Sequence, residues 1–98
     1  MSKQTLYRTE AFRDQWRKYF KTLRTRQSLS QSQLAAKSNI SASTICSIEQ
    51  VGWIPSFEVV YTLGDALGFR DNLLLAAGYV PKQYKLRDLF SILNLPPE

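Results

Sequence analysis

The sequence predicts an all-α fold, and three observations carry that expectation. Apolar residues recur at spacings of three and four along most of the chain, the period of a helix with one buried face. No stretch alternates apolar and polar residues over several positions, as a half-buried strand would. Thr9, Ser30, Ser41 and Asp71 stand where periodic stretches begin, and such side chains accept a bond from a backbone N–H that the first turn leaves unpaired. With 98 residues, four glycines and four prolines, one small domain with one modest core is expected.

Residues 1–8 read as a loose arm. Thr9 caps a first helix running to about Arg26, with Phe12, Trp16, Tyr19, Phe20 and Leu23 along one stripe. The stretch from Gln31 to Gln50 reads as two short amphipathic helices around a tight break. Leu34 and Ala35 face inward from the first, Ile45 and Ile48 from the second, and Ile40 plugs the corner. Ala35 leaves room for a close crossing. Asn39 lies at the bend, where a positive φ is needed and asparagine tolerates it. This is the sequence form of a helix-turn-helix, whose second helix is built to enter a DNA major groove. Residues 57–67 form a fourth helix, with Val60, Leu63 and Leu67 inward and Gly68 as its stop. Asp71 caps a short fifth helix from Leu73 to Ala77, closed by Gly78. Beyond Val80–Pro81, Leu86, Leu89, Phe90 and Leu93 mark one more amphipathic helix, ended by Pro96–Pro97.

The segments LR at 23–24, LSQSQLA at 29–35, NIS at 39–41, STICSIE at 43–49, PSFEVVYTLGDALGF at 55–69 and LLLAAGY at 73–79 follow in order at set separations. Together they resemble the Cro/phage-repressor-type (XRE-type) helix-turn-helix DNA-binding domain, over a little more than half the chain. The resemblance implies a five-helix lambda-repressor-like domain, here with an extended first helix and an extra C-terminal helix. Residues 1–98 would be one domain, with its core at 9–79, the helix-turn-helix at 31–50 and the C-terminal helix at 82–94. Two departures stand out. The family usually has glycine directly after the residue at Gln50, whereas here Val51 precedes Gly52. Its following loop is usually basic, and here it reads Trp53–Ile54.

A helical wheel separates the faces of the second motif helix. With Ser43 at zero, Ser47 falls at about 40°, Gln50 at about −20°, Cys46 at about −60° and Ala42 at about −100°. Ile45 and Ile48 fall opposite, and Thr44 lies at the edge. The resemblance implies that the positions of Ala42, Ser43 and Ser47 face base edges, with Gln50 the one long side chain beside them. Serine discriminates weakly and alanine can only touch a thymine methyl, so this face is small. Gln31 opens a helix whose unpaired N–H groups favour phosphate, and the resemblance gives it a backbone contact. Ser56 heads another helix start, Lys37 adds a nearby charge, and Thr44 completes the expected phosphate contacts. The resemblance also implies an ion pair between Arg24 and Glu49. That pair is structural, and catalysis by Glu49 is not expected.

Charge agrees with a polyanion partner. Net charge is +5, and residues 1–27 hold eight basic residues against Glu10 and Asp14. At 44% hydrophobic and 21% charged the chain is globular, not disordered. No apolar run reaches the roughly 20 residues of a membrane span. The start, MSKQTLYRTE, lacks the apolar core of a signal peptide, so a cytoplasmic location is expected. A single cysteine and no histidine exclude an intramolecular disulfide and leave no expectation of a metal or other cofactor. With no histidine, no nucleophile beside a plausible base and no Gly-rich phosphate loop, an enzyme is not expected.

The expected function is sequence-specific binding of double-stranded DNA as a transcriptional regulator, by a homodimer on a near-palindromic operator. Two reading helices on one operator sit about 34 Å apart, and a contact between subunits must hold that spacing. Trp53, with Tyr84, Leu86, Leu89, Phe90 and Leu93 of the last helix, is the expected dimer interface; the alternative for that helix is packing on its own domain. A different class of function is a protein-interaction module, antitoxin-like or adaptor, that keeps the fold and uses Trp53 and the last helix on a protein.

Overall fold

The computed structural model describes residues 8–80, and in them five helices follow one another: α1 (Glu10–Arg26), α2 (Gln31–Ser38), α3 (Ala42–Val51), α4 (Phe57–Leu67) and α5 (Arg70–Ala76). The first four each start on a side-chain cap. The Thr9 hydroxyl accepts from the Phe12 N–H at 3.0 Å, Ser30 from Gln33 at 3.0 Å, Ser41 from Thr44 at 3.2 Å and Ser56 from Val59 at 3.4 Å. At Ser30 the bond is reciprocated, because Gln33 Oε1 accepts from the Ser30 N–H at 2.7 Å; this closes a capping box. The turn between α2 and α3 runs through Asn39 at φ 61°. The Ser38 hydroxyl donates to the Leu34 carbonyl and accepts from the Ile40 N–H, so the buried corner has no unmet polar group there.

Three helix boundaries differ from expectation, one of them the end of the fifth helix at Ala76 instead of Ala77. The fifth helix begins at Arg70, and Phe69, not Asp71, stands at its cap with no side-chain bond. The chain passes from the Gly68 turn straight into the helix, because the Phe69 N–H donates back to Gly64 at 3.0 Å while its own carbonyl already receives Leu73 at 2.9 Å. Asp71 therefore sits inside the first turn, where a negative charge suits the helix dipole. The motif's second helix runs to Val51 instead of Gln50, the result of glycine standing one place later. Arg8 is no part of a loose arm: its Nε and Nη2 donate to the Ala77 carbonyl at 3.2 and 3.0 Å, and its guanidinium lies 4.7 Å from the Tyr79 ring centre. The expected helix at 82–94, with Tyr84, Leu86, Leu89, Phe90 and Leu93, lies outside the described residues.

The core is built from every helix. Trp16, Phe20 and Leu23 of α1 meet Leu34 of α2, Ile45 and Ile48 of α3, Val60, Leu63 and Leu67 of α4, and Leu73 and Leu74 of α5, all buried. Three side chains donate to carbonyls that would otherwise go unpaired, two in the loop after α3 and one at the end of α4. Trp16 Nε1 donates to Trp53 at 2.9 Å, Gln27 Nε2 to Leu67 at 2.6 Å and the Tyr79 hydroxyl to Pro55 at 2.6 Å.

The amino-terminal half of α1 packs on the far end of α3, and Gly52 is the joint. Gly52 closes α3 at φ 72°, and a Cβ there would lie 2.7 Å from the Arg13 carbonyl oxygen. Two penalties therefore act on any side chain, the left-handed backbone at about 1–2 kcal/mol and a clash with rigid helix backbone. Gly68 has the same backbone, φ 79°, with nothing within 4 Å, and bears the first penalty alone. Gly52→Ala is expected to destabilise by at least about 2 kcal/mol, roughly 10 °C in melting temperature for a domain of this size, and Gly68→Ala by about half that. Thermal unfolding followed by circular dichroism compares them; equal losses would show that the α1–α3 joint contributes nothing.

Candidate nucleic-acid interface

Glu49 is the centre of the site. It projects from the last turns of α3 into the junction with α1 and α2, where its side chain is 4% exposed. A lone carboxylate there would be untenable, since removing the charge from water costs several kcal/mol. Arg24 answers it with a two-pronged bond: Nε to Oε2 at 2.6 Å and Nη2 to Oε1 at 2.7 Å. The remaining guanidinium nitrogen, Nη1, donates to the Leu29 carbonyl at 2.7 Å. Gln31, first residue of α2, adds a third donor, Nε2 to Glu49 Oε1 at 2.9 Å. One carboxylate thus joins three helices. Burial works to raise its pKa, but the bonds from Arg24 and Gln31 and the charges of Arg24 and Lys21 outweigh burial and hold it below the ordinary value of 4.5.

With that junction fixed, α3 turns one face outward. Ala42, Ser43, Ser47 and Gln50 are all exposed, while Thr44 and Cys46 are half-buried at its edges. The Thr44 hydroxyl accepts from Ser41 Oγ at 2.9 Å. Lys37 stands exposed in the last turn of α2, and Ser56 is exposed at the head of α4; neither is hydrogen-bonded to the Arg24–Glu49–Gln31 cluster. Trp53 is 48% exposed and shares a shallow groove with Ser43, Thr44, Ser47 and Val51.

Two features were missed by reasoning from sequence. Val51 is 70% exposed beside the outward face; the signal was its place where glycine is usual. The second is a cleft between α1 and the end of α3, lined by Glu10, Arg13, Asp14, Arg17, Gln50 and Val51. Asp14 there bonds Arg17 Nη2 and lies 3.1 Å from Lys18 Nζ, and its pKa is lowered by those bonds, Arg17 first. The length of α1 was legible, but its course over α3 was not. Among the described residues no group of His, Cys, Asp and Glu could hold a metal, and no helix is long and apolar enough to cross a membrane.

A family model described as a helix-turn-helix domain matches residues 17–77, more than half of the chain. No curated protein and no solved structure matches.

Removing either partner of the buried pair, by Arg24→Ala or Glu49→Ala, is expected to destabilise by about 3 kcal/mol, with clear coupling in the double-mutant cycle. The sign of the acid response follows from the lowered carboxyl. Its contribution is fully present above the ordinary value of 4.5 and is lost as pH falls through the lower folded value. Glu49→Gln should therefore be less stable at pH 7 and decline less steeply below pH of about 4 than the parent. Parallel stability curves for the two proteins in acid would contradict this.

Proposed function

The chain belongs to the helix-turn-helix domain family, and from that premise we propose that it binds duplex DNA sequence-specifically, as a transcriptional regulator of the Cro/phage-repressor type. The observation that carries this reading is the exposed, uncharged face of α3 held at a fixed angle to α2 by the Arg24–Glu49–Gln31 junction. On this reading Ala42, Ser43, Ser47 and Gln50 meet base edges, and Gln50 makes the one contact long enough to be bidentate. Gln31 offers its remaining amide hydrogen to a phosphate, and Thr44, Lys37 and the Ser56 helix start contact the backbone around it. Two copies read a near-palindromic operator from one face of the duplex, with reading helices about 34 Å apart. Trp53 and the stripe Leu86, Leu89, Phe90 and Leu93, with Tyr84 at its edge, join them. The reaction class is binding, without catalysis, cofactor or metal, and the cytoplasm is the location such a regulator requires.

One observation favours a second reading. Val51 and Trp53 expose apolar surface right beside the α3 face, as a module that docks a protein would. An antitoxin-like or adaptor role would use that surface in place of base contacts.

Binding to duplexes selected from a random pool separates the two. The expected result is an enriched palindrome, bound with about four to eight phosphates neutralised per dimer and hence a log–log salt slope of about −4 to −7. No duplex binding at low salt, or affinity flat across the range from 50 to 200 mM, would transfer the function to the protein-docking surface.

A further inference from the structure

If α3 reads DNA, the charge that meets the backbone beside it has to come from elsewhere. Residues 38–69 hold no lysine or arginine, so α3, its loop and all of α4 are without a cation. Of the basic residues described, Arg24 is spent on Glu49, Arg8 on the Ala77 carbonyl and the Tyr79 ring, and Arg70 on Tyr61 and Asp65. The largest remaining group is on α1, and it is not spread evenly around the helix. Taking Arg13 as zero, Arg24 falls at about 20°, Arg17 at about 40° and Lys21 at about 80°, whereas Lys18 lies at about 140° and Arg26 at about 220°.

That stripe borders α3 at each point that can be checked. Arg13 touches Gly52 through its backbone, Arg13 and Arg17 line the cleft with Gln50 and Val51, and Arg24 binds Glu49. Lys21 is near enough to Glu49 for its charge to act there. We propose that Arg13, Arg17 and Lys21 form a phosphate-binding rail on α1, holding one DNA strand along the edge of the reading helix. The inference rests on the DNA-binding reading and names the cations that reading needs.

The dimensions suit the role. From Arg13 to Lys21 the helix rises about 12 Å, which spans three to four phosphate steps at 3.4 Å of axis per strand. Lys21 and Arg13 are exposed and make no ion pair among the described residues, although Lys21 acts on Glu49 through its charge. Arg17 is held by Asp14, but that pair is part-exposed, and such pairs are worth so little that a phosphate readily replaces the carboxylate. Asp14 then acts against binding, repelling the strand and competing for Arg17. Glu10 lies at the far end of the cleft, in the first turn of α1, where the helix dipole already favours a carboxylate.

The test measures affinity for a selected operator and for a scrambled duplex as salt rises. The triple variant R13Q/R17Q/K21Q should weaken both duplexes alike and lower the salt slope by about 2.7 per bound subunit, about 5.4 for a dimer, at 0.9 per phosphate lost. Between 50 and 200 mM salt it would then lose about 40-fold less affinity per bound subunit than the parent. Arg26→Gln removes one such charge from the opposite face and should leave the slope in place. Asp14→Asn should tighten both duplexes. A parental slope in the triple variant, or an equal fall in Arg26→Gln, overturns the rail while leaving DNA binding intact. A parent that binds no duplex overturns both. If the triple variant melts early, Lys21→Gln alone, which breaks no ion pair, decides by a slope change of about 0.9 per bound subunit or none.

Discussion

The carboxylate of Glu49 is taken out of water where α1, α2 and α3 converge, and it is stable there only because Arg24 and Gln31 occupy its lone pairs. Desolvation and pairing nearly cancel in such a group, so the net stabilisation is small while the penalty for removing one partner is large. That asymmetry makes the junction directional. Any rotation of α3 about its axis, or slide of α2 along it, breaks a bond to a buried charge. The outward face of α3 inherits its orientation from this. Apolar packing by Ile45 and Ile48 holds α3 to the core, but greasy contacts tolerate small shifts that a two-pronged guanidinium–carboxylate contact does not.

A second constraint acts at the other end of α3. Gly52 lets the helix finish directly against the Arg13 backbone, and Trp16 then reaches past it to the Trp53 carbonyl. The loop after α3 is thereby bound to α1 at two places, although its side chains are apolar and Trp53 stays half in solvent. With Val51 the last residue of α3, Gly52 stands where α1 crosses. A side chain at 52 would press on the Arg13 backbone and force α1 and α3 apart there.

These particulars show where the sequence is legible. Helix starts were readable because a serine or threonine cap is a local signal, and Thr9, Ser30, Ser41 and Ser56 all bond as such residues do. The capping box at Ser30–Gln33 was equally local and was overlooked. Asp71 misled for the same reason, since an acidic residue in a first turn looks like a cap one turn later. What could not be read are consequences of packing. Gly64, whose missing Cβ brings Arg70 backbone against α4, is an ordinary letter in a helical stretch, and Ser28 at φ 59° carries no mark of its left-handed turn. For the site, periodicity gave the outward face of α3, and the Arg24–Glu49 contact was anticipated only through a resemblance. The Gln31–Glu49 bond and the α1–α3 cleft depend on how helices cross, which no single segment encodes.

The composition of the α3 face sets how such a domain can discriminate. A bidentate side-chain contact separates right from wrong bases by about 1–3 kcal/mol, and on this face only Gln50 has the length and the paired donor and acceptor for one. On the proposed reading Ala42, Ser43 and Ser47 would add only close approach and weak polar contacts, so a single subunit would read little. In the proposed dimer, two-fold repetition would double what is read and add the geometric demand of fixed half-site spacing. Small side chains also let the helix sit deep, where groove width and the ease of bending the duplex are read as energy without touching a base. A reader of this kind needs its orientation fixed more firmly than one with long arginines and glutamines, whose flexible side chains can absorb a misplaced helix. The buried carboxylate junction and the glycine joint at the two ends of α3 supply that rigidity, and a small face is usable because of them.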